Sequence, residues 1–589
     1  MKKLIIIPLL FFALLSFGQH LVYYVSPTGS NAYSAAQAQN PATPWATAQK
    51  AIDNVVAGDT VLFRGGTFTP TIGTNYTPNA HGKDGTATHH ITLKNYPGEV
   101  PVFDCINQTQ YQSDGYNFGI MFMDADYIDV KGLTFKNINQ LTTGVPDNRI
   151  VRGFDIFNCT YFTLTNCTVH NAEGHGFQAY ESQYIYFTNC DSYNNADSLN
   201  PTSPGNTAAG FSTVNNGANN PNYTKKGPVY YYGCRSWHNS DDGFDGRQYG
   251  VVWFDRCWTW NNGYLTSGAG SGFKMGFLYL DMDTNWVVTN CISTYNITGT
   301  NRIGFNENEY TGTARPNIFI YNNLFYKNGS VLTGSGIYVT PSTLFQENQN
   351  IYKNNISYAN LTTNIEVGGL YVHSYNSWDH SPSVTVSDAD FKDLPADLAE
   401  CYTVLGAARG ADGSLPSLGD FFHIAAGSDL IDAGISVNGV PYDGDGNYRD
   451  LTLGPFSYIA DEPVPPELPQ IIGTAVQSST AVSALIGGTI TSNGGGTLTY
   501  RGMVWSTSIN PTIADSKTKN PASLGSFIDV VRGLKGGVLY NMRAYVTNET
   551  GTSYGANIGF TTSPYSVVLK SGNAILHNGI TDSIPVIIQ

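Results

Sequence analysis

The pair Gly-Phe recurs through the middle of this chain, at Gly153-Phe154, Gly176-Phe177, Gly210-Phe211, Gly243-Phe244, Gly272-Phe273 and Gly304-Phe305. Gly119-Ile120 and Gly336-Ile337 extend the series at both ends. The spacings run from 23 to 34 residues, and a period of that size with no helical repeat inside it is the signature of a solenoid. Short β-rich segments lie between the pairs, at 161–164, 184–187, 229–232, 251–254, 286–288 and 318–320. One turn of chain per repeat, with several short strands per turn, predicts a parallel β-helix.

A second series runs beside the first. Cys167, Cys190, Cys234, Cys257 and Cys291 sit in similar frames, such as Asn166-Cys167-Thr168-Val169-His170-Asn171 and Arg256-Cys257-Trp258-Thr259-Trp260-Asn261. Later copies read as placing Leu324 and Ile356 in the Cys slot, with the frames ending at Asn328 and Asn360. A slot that takes Cys, Leu or Ile is a core slot, so these thiols are expected to be stacked and reduced rather than bridged. The closing Asn suits a recurring turn.

At 589 residues the chain exceeds one ordinary core. Only 13% of it is charged, and it holds 63 Gly and 38 Tyr, which fits neither a coiled coil nor an acidic disordered chain. A net charge of −15 argues against nucleic-acid binding, which needs a Lys/Arg surplus. Lys2 and Lys3 followed by an apolar run at 4–15 read as a signal peptide over 1–19, so the protein is expected to be secreted (extracellular, at the cell surface or in the periplasm) with no membrane span. The stretch 44–56 is helical in pattern and is expected to cap the first coil, followed by a strand at 58–64. The β-helix domain is read as 20–460, with 381–460 as its C-terminal cap. A Pro-rich linker at 461–469, a small β-sandwich at 470–563 and an unassigned tail at 564–589 follow. The fold class is therefore all-β, a β-helix followed by a sandwich, and a monomer is expected.

Equivalent positions on successive coils stack at the inter-strand spacing, roughly 4.8 Å. If Phe points in, the next residue points out, which gives an outer column of Asp155, Gln178, Ser212, Asp245, Lys274 and Asn306. The residue before each Gly gives a second column, Ala209, Asp242, Ser271 and Ile303. Asp241, Asp242 and Asp245 thus crowd one coil, with Lys274 on the next, in what is expected to be one exterior groove. Three close carboxylates repel unless a cation sits among them, and an all-oxygen set favours Ca²⁺ over zinc or copper. The plainer reading is a polar turn beside a surface Lys–Asp pair.

The segments Ser240-Asp241-Asp242-Gly243-Phe244-Asp245 and Gly268-Ala269-Gly270-Ser271-Gly272-Phe273-Lys274 resemble polysaccharide lyase family 9, the pectate-lyase-like right-handed β-helix enzymes, as do Tyr23-Tyr24-Val25-Ser26-Pro27 and Asn376-Ser377-Trp378. The resemblance covers about 21–460 and implies Lys274 as the Brønsted base and Asp241, Asp242 and Asp245 as Ca²⁺ ligands. It implies β-elimination on an acidic, uronate-containing polysaccharide. The family frame N-A-D-G-F reads Asn206-Thr207-Ala208-Ala209-Gly210-Phe211 here, with Ala209 in the place of a fourth acid. The sequence after 470 resembles fibronectin type III-like modules, through Arg501-Gly502-Met503-Val504-Trp505-Ser506 among others.

Arg247, Arg302 and Asn306, and also Lys225 and Lys226, lie near the same coils and are candidates for contact with substrate carboxylates. Trp237, Trp258 and Trp260 read as packing rather than sugar platforms. Gly174-His175-Gly176 carries a minor candidate, and Asp443-Gly444-Asp445-Gly446-Asn447 reads as a cap turn rather than a Ca²⁺ loop. Two other readings stay open: a hydrolase on the same scaffold using two of the acids, and a non-catalytic glycan binder. Fold alone does not separate them.

Overall fold

A computed structural model describes residues 20–70, 79–108, 116–140, 150–199, 203–214, 227–247, 250–265, 267–277, 285–310, 317–330, 334–339, 350–367, 371–379, 383–458, 467–473 and 476–564. The signal-peptide reading of 1–19, the pair Lys225 and Lys226, most of the 461–469 linker and the tail after 564 lie outside them. The chain divides into two units, Met1–Ile459 and Ala460–Gln589.

The first unit is a parallel β-helix. Among the described residues it has one sheet of twelve strands, from Val22–Val25 to Tyr371–Ser374, and two of ten, and nearly every strand pairs with the equivalent strand one coil away. The Gly-Phe series explains the interior. Phe154, Phe177, Phe211, Phe244 and Phe273 point inward, are at most 1% exposed, and stack ring on ring at 5.6, 4.9, 4.9 and 5.0 Å. Each such ring contributes about 1.5–3 kcal/mol of burial, with a further ~0.5–1.5 kcal/mol per stacked pair.

The glycine is set by the neighbouring turn. Ser192, Ser236 and Ser293 each donate a hydroxyl hydrogen bond to the carbonyl of a series glycine: Gly210 at 2.7 Å, Gly243 at 2.8 Å and Gly304 at 3.0 Å. A β-carbon at Gly243 would lie 2.2 Å from Thr259 Oγ1 and 2.6 Å from the Gly272 carbonyl. Gly243→Ala should therefore cost at least about 1–3 kcal/mol by overpacking and lower the thermal midpoint. It should also weaken whatever Asp242 and Asp245 do, because both flank it.

The frames that end in Asn contain two columns rather than one. Asn171, Asn194 and Asn261 hold left-handed φ values of 56°, 56° and 50°, a conformation Asn tolerates better than most residues. Asn328 and Asn360 belong one residue further on, to a buried ladder. There the Nδ2 of Asn195, Asn239, Asn262, Asn296 and Asn328 each donates to Oδ1 of the next member, at 2.8–3.2 Å, ending on Asn360.

The Cys slot also differs from expectation. The strand register pairs Leu324 and Ile356 with Ile292 and Trp258, not with the cysteines. The Cys slot is continued by Asn323, whose Oδ1 accepts from Cys291 N at 2.9 Å, and then by Asn355, whose Oδ1 accepts from Asn323 Nδ2 at 3.0 Å. What the slot selects is a short side chain able to hydrogen-bond the adjacent coil. Cys190, Cys234 and Cys257 do so through Sγ to carbonyls of the preceding coil. All eight cysteines are free and buried, as expected.

At the N-terminus the helix Ala48–Asn54 begins at Thr47, whose side chain accepts from Lys50 N at 3.3 Å. It buries Ala48, Ala51 and Ile52 against the first coils. Residues 383–458 are expected from the sequence to cap the solenoid, and their contacts lie along its side instead. They run back along the outer face of the sheet that ends at Ile356–Tyr358, covering the outward apolar side chains Trp260, Ile292, Leu324 and Ile356 with Phe391, Leu405, Phe422 and Leu453. Trp237 and Trp260 stack at 4.7 Å within this layer, so they pack rather than face solvent. The Asp443 carboxylate accepts from Asp445 N, Asn447 N and Ser457 N, which makes that loop a self-satisfied turn. Among the described residues no helix is long and apolar enough to cross a membrane.

The second unit is a small β-domain of antiparallel sheets. One is built on Ser483–Ser492 paired with Gly525–Arg532, the other on Tyr500–Ser506 paired with Leu539–Thr547. Ile486, Ile490, Met503, Phe527, Met542 and Val546 form its core.

Candidate active site

The outer columns form as expected. Asp155, Gln178, Ser212, Asp245, Lys274 and Asn306 are successive register partners. Two residues before each Phe, Arg152 pairs with His175, and Ala209, Asp242, Ser271 and Ile303 occupy the same place on the following coils. Phe273 and Met275 are fully buried inside the solenoid, so Lys274 between them faces out.

The expected open groove is not what forms around it. Asp241 is 2% exposed, Asp242 0%, Asp245 4% and Lys274 7%. Lys274 Nζ donates to Asp242 Oδ2 at 2.9 Å rather than to its register partner Asp245. Asp245 is held by Arg247, whose Nε lies 3.2 Å from Oδ1 and whose second guanidinium nitrogen lies 3.0 Å from Oδ2. The Arg247 side chain is 37% exposed and is the accessible cation of the group.

Two backbone donors complete the cluster and were not evident from sequence. Ala269 N donates to Asp241 Oδ1 at 2.7 Å, and Ser271 N donates to Asp242 Oδ1 at 2.8 Å. The run of small residues from Gly268 to Gly272 is the signal that could have found them. A β-carbon on Gly268 would lie 1.7 Å from the Ser240 carbonyl, so only glycine lets this turn approach the acids closely enough. Ser240 Oγ in turn donates to Asp197 Oδ1 at 3.3 Å and fixes the start of the acidic turn.

Asn306 donates through Nδ2 to Ser271 Oγ at 3.2 Å and is the outward neighbour of Lys274. Arg302 occupies a left-handed turn position and directs its guanidinium to Ser330 Oγ on the following coil, at 2.8 Å. The structure thus gathers Asp241, Asp242, Asp245, Arg247, Lys274 and Asn306, and points Arg302 elsewhere.

Electrostatics follow from burial and proximity. Burial, and then the charge of Asp242, hold Asp241 well above the usual carboxylate range. Burial also raises Asp242, against the pull of Lys274. Burial would raise Asp245 too, but Arg247 and Lys274 outweigh it and hold that acid below its usual range. Burial would lower Lys274, but Asp242, Asp245 and Asp241 outweigh it, so the amine is held above the ordinary lysine range as an ammonium.

With all three acids ionised, three carboxylates would face two cations and leave a surplus of one negative charge in a desolvated site. That surplus and the all-oxygen donor set fit a hard divalent cation. The cage itself is not assembled: among the described residues no three acidic, imidazole or thiol groups converge as metal ligands. Three carboxylates also fall short of the about six to eight oxygens Ca²⁺ takes. Ala209, fully buried, stands where a fourth acid would come from the preceding coil.

A family model described as the Pel9A-like, right-handed β-helix region matches residues 23–360. Pectate lyase L of Dickeya dadantii (strain 3937) is 28% identical over 439 residues, covering 72% of this chain and 88% of the relative. Among solved structures, that of pectate lyase Pel9A superposes with a TM-score of 0.55 at 23% identity, covering 75% of this chain and 98% of the other. A structure of a rhamnogalacturonan lyase gives 0.53, also at 23% identity, covering 69% and 97%.

Proposed function

Because this chain belongs to the Pel9A-like right-handed β-helix family, we propose that it is a secreted, Ca²⁺-dependent polysaccharide lyase that cleaves an acidic, uronate-containing polysaccharide by β-elimination. The observation that carries the reading is the placement of Lys274, outward-facing, in register with Asp245 and 2.9 Å from Asp242 on the acidic coil.

In this reading Lys274 takes the proton from C5 of the reacting uronate. The C5–H electrons then form the C4=C5 double bond as the C4–O bond breaks, the departing O4 takes up a proton from water to become a hydroxyl, and an unsaturated sugar is left at the new end. When held by Asp241, Asp242 and Asp245, Ca²⁺ supplies neutralisation of the uronate beside C5 and offsets the carboxylates that keep Lys274 protonated. Arg247, exposed at the edge of the cluster, offers a planar donor to a substrate carboxylate, and Asn306 offers an amide one coil further on. Arg302, turned to Ser330 Oγ, takes no part in this reading. The two N–H groups of Ala269 and Ser271 keep the Asp241 and Asp242 side chains aimed at this point. Lys2, Lys3 and the apolar run after them support export, and the C-terminal unit is read as a fibronectin type III-like module.

The electrostatics favour one second reading. Asp241 is held up and Asp245 down, the separation that an acid–base pair of a glycoside hydrolase needs. Products separate the two. Incubation with polygalacturonate, rhamnogalacturonan or alginate should give ultraviolet absorbance from a conjugated double bond. Reducing ends without absorbance would mean the hydrolase instead. Chelation with EDTA should lower the absorbance rate about 100-fold or more, given several kcal/mol of charge stabilisation, and added Ca²⁺ should restore it. A rate indifferent to chelation would sink the metal's part in the reading.

A further inference from the structure

We infer that the second unit carries a binding face of its own for an anionic polysaccharide, built on Lys517, Lys519 and Arg543; naming the anion a uronate polymer rests on the lyase reading above. The chain as a whole has a net charge of −15, yet residues 467–564 hold six Lys and Arg against four Asp and Glu. Three of those six cations share one face. Met503, Met542, Ala544 and Val546 point into the core of the unit, so Val504 and Arg543 leave the opposite side of their sheet. Val504 has Lys517 as its partner on one side and Arg543 on the other. Tyr500 has the parity of Val504, and Lys519 reaches the same face, with Nζ 3.7 Å from the centre of the Tyr500 ring.

None of the three cations pairs with a carboxylate among the described residues. Three of the four acids are engaged elsewhere. Asp529 is 8% exposed and accepts from Asn520 Nδ2 at 3.0 Å. Asp515 accepts from Thr512 N at 2.9 Å, and Glu549 accepts from Thr497 N at 2.6 Å. An acidic protein that leaves one sheet face positive is complementary there to a polyanion.

Arg543 is held ready for such a contact. Its Nε donates to the Gly555 carbonyl at 2.9 Å, and its guanidinium carbon lies 4.6 Å from the centre of the Tyr554 ring. Tyr554 is fixed in turn, its hydroxyl accepting from Ile513 N at 3.0 Å. These contacts set the plane of the guanidinium. Its two terminal nitrogens take no protein partner among the described residues and form the fork that a carboxylate accepts. Lys517 and Lys519 are exposed. Tyr500, 45% exposed, sets an aromatic ring and a hydroxyl beside them. Lys517 and Arg543 stand two strand spacings apart, about 10 Å. That is close to the length of two pyranose rings, so two carboxylates of one uronan chain can meet both.

The test uses the full chain in EDTA, so that no divalent ion holds polymer at the acidic cluster of the first unit. The probes are polygalacturonate, its methyl-esterified form and phosphatidylglycerol vesicles. Native gels containing polygalacturonate should retard the unmodified protein, gels containing the ester should not, and salt should abolish the retardation. Lys517→Gln with Lys519→Gln changes only exposed side chains and should weaken binding about tenfold. Adding Arg543→Gln should bring the loss to about a hundredfold, the sum of modest exposed ion pairs, with the thermal midpoint unchanged for the double variant. Equal retardation of the parent and both variants overturns this inference, as does capture by the vesicles without retardation by polygalacturonate; either result leaves the lyase reading standing. Retardation that the variants lose, in a protein that yields no ultraviolet absorbance from any uronan with Ca²⁺ present, overturns the lyase reading and leaves this face as a glycan-binding site.

Discussion

Lys274→Arg is expected to leave the β-helix as stable as the parent and to lower the rate of unsaturated product formation by about 10²–10⁴-fold, the usual contribution of a positioned general base. The substitution separates two roles that Lys274 holds at once. As an ion-pair partner it neutralises Asp242, which has no exposed surface, and removing one member of a buried pair costs about 3–5 kcal/mol. Lys274→Ala therefore risks losing activity through lost stability. Arginine keeps the charge opposite Asp242 but does not give up its proton under working conditions. If the amine only anchors the acidic turn, the arginine variant should stay active. If it takes the C5 proton, activity should vanish while the thermal midpoint and the circular dichroism spectrum stay put. Retained turnover in Lys274→Arg would remove Lys274 from the chemistry and leave the Asp241–Asp245 pair as the alternative, with reducing ends in place of absorbance as its mark.

The pairing of Asp245 with Lys274 was legible in the sequence because a strand alternates with period two, and the Phe series fixes which parity points inward. Once Phe244 and Phe273 are interior, the residue after each is an outer neighbour on consecutive coils. At Asn323 and Asn355 the Cys slot departs from the expectation of Leu324 and Ile356 by one residue. The slot is chosen by hydrogen bonding between coils, which thiol and amide both manage. Closure of the site around Lys274 was hidden for another reason. Alternation says which way a side chain leaves the sheet but not what lies above it, and here Asp242 and Arg247 come from other positions in the turn and strand. The same limit applies to residues 383–458. Trp260, Ile292, Leu324 and Ile356 leave their sheet outward and need cover, yet nothing local identifies a segment up to two hundred residues later as the cover.

That flanking segment carries the second large expected effect. Asp191→Ala should destabilise the first unit by about 3–5 kcal/mol and open the segment around Arg409 to proteolysis. Asp191 sits under two guanidinium groups. Arg235 reaches it at 2.9 and 2.7 Å, and Arg409 reaches it from the segment itself at 2.6 Å. Arg235 also donates to the carbonyls of Leu405 and Ala407, and Arg409 donates to that of Gly233, so one carboxylate holds both ends of the crossing. Arg235 is 3% exposed, and without Asp191 two nearly buried cations would face each other. Burial would raise the Asp191 pKa, but Arg409 and Arg235 outweigh it and hold the acid below its usual range. A depressed folded-state pKa means the contribution is complete above the unfolded value of about 3.9 and is lost as pH falls through the folded value. Urea unfolding of the parent and of Asp191→Asn should therefore differ most near neutral pH and converge in acid. A difference under about 0.5 kcal/mol at pH 7, or one that does not shrink on acidification, would show that the apolar layer under Phe391 and Leu405 holds the segment without help from the ion triad.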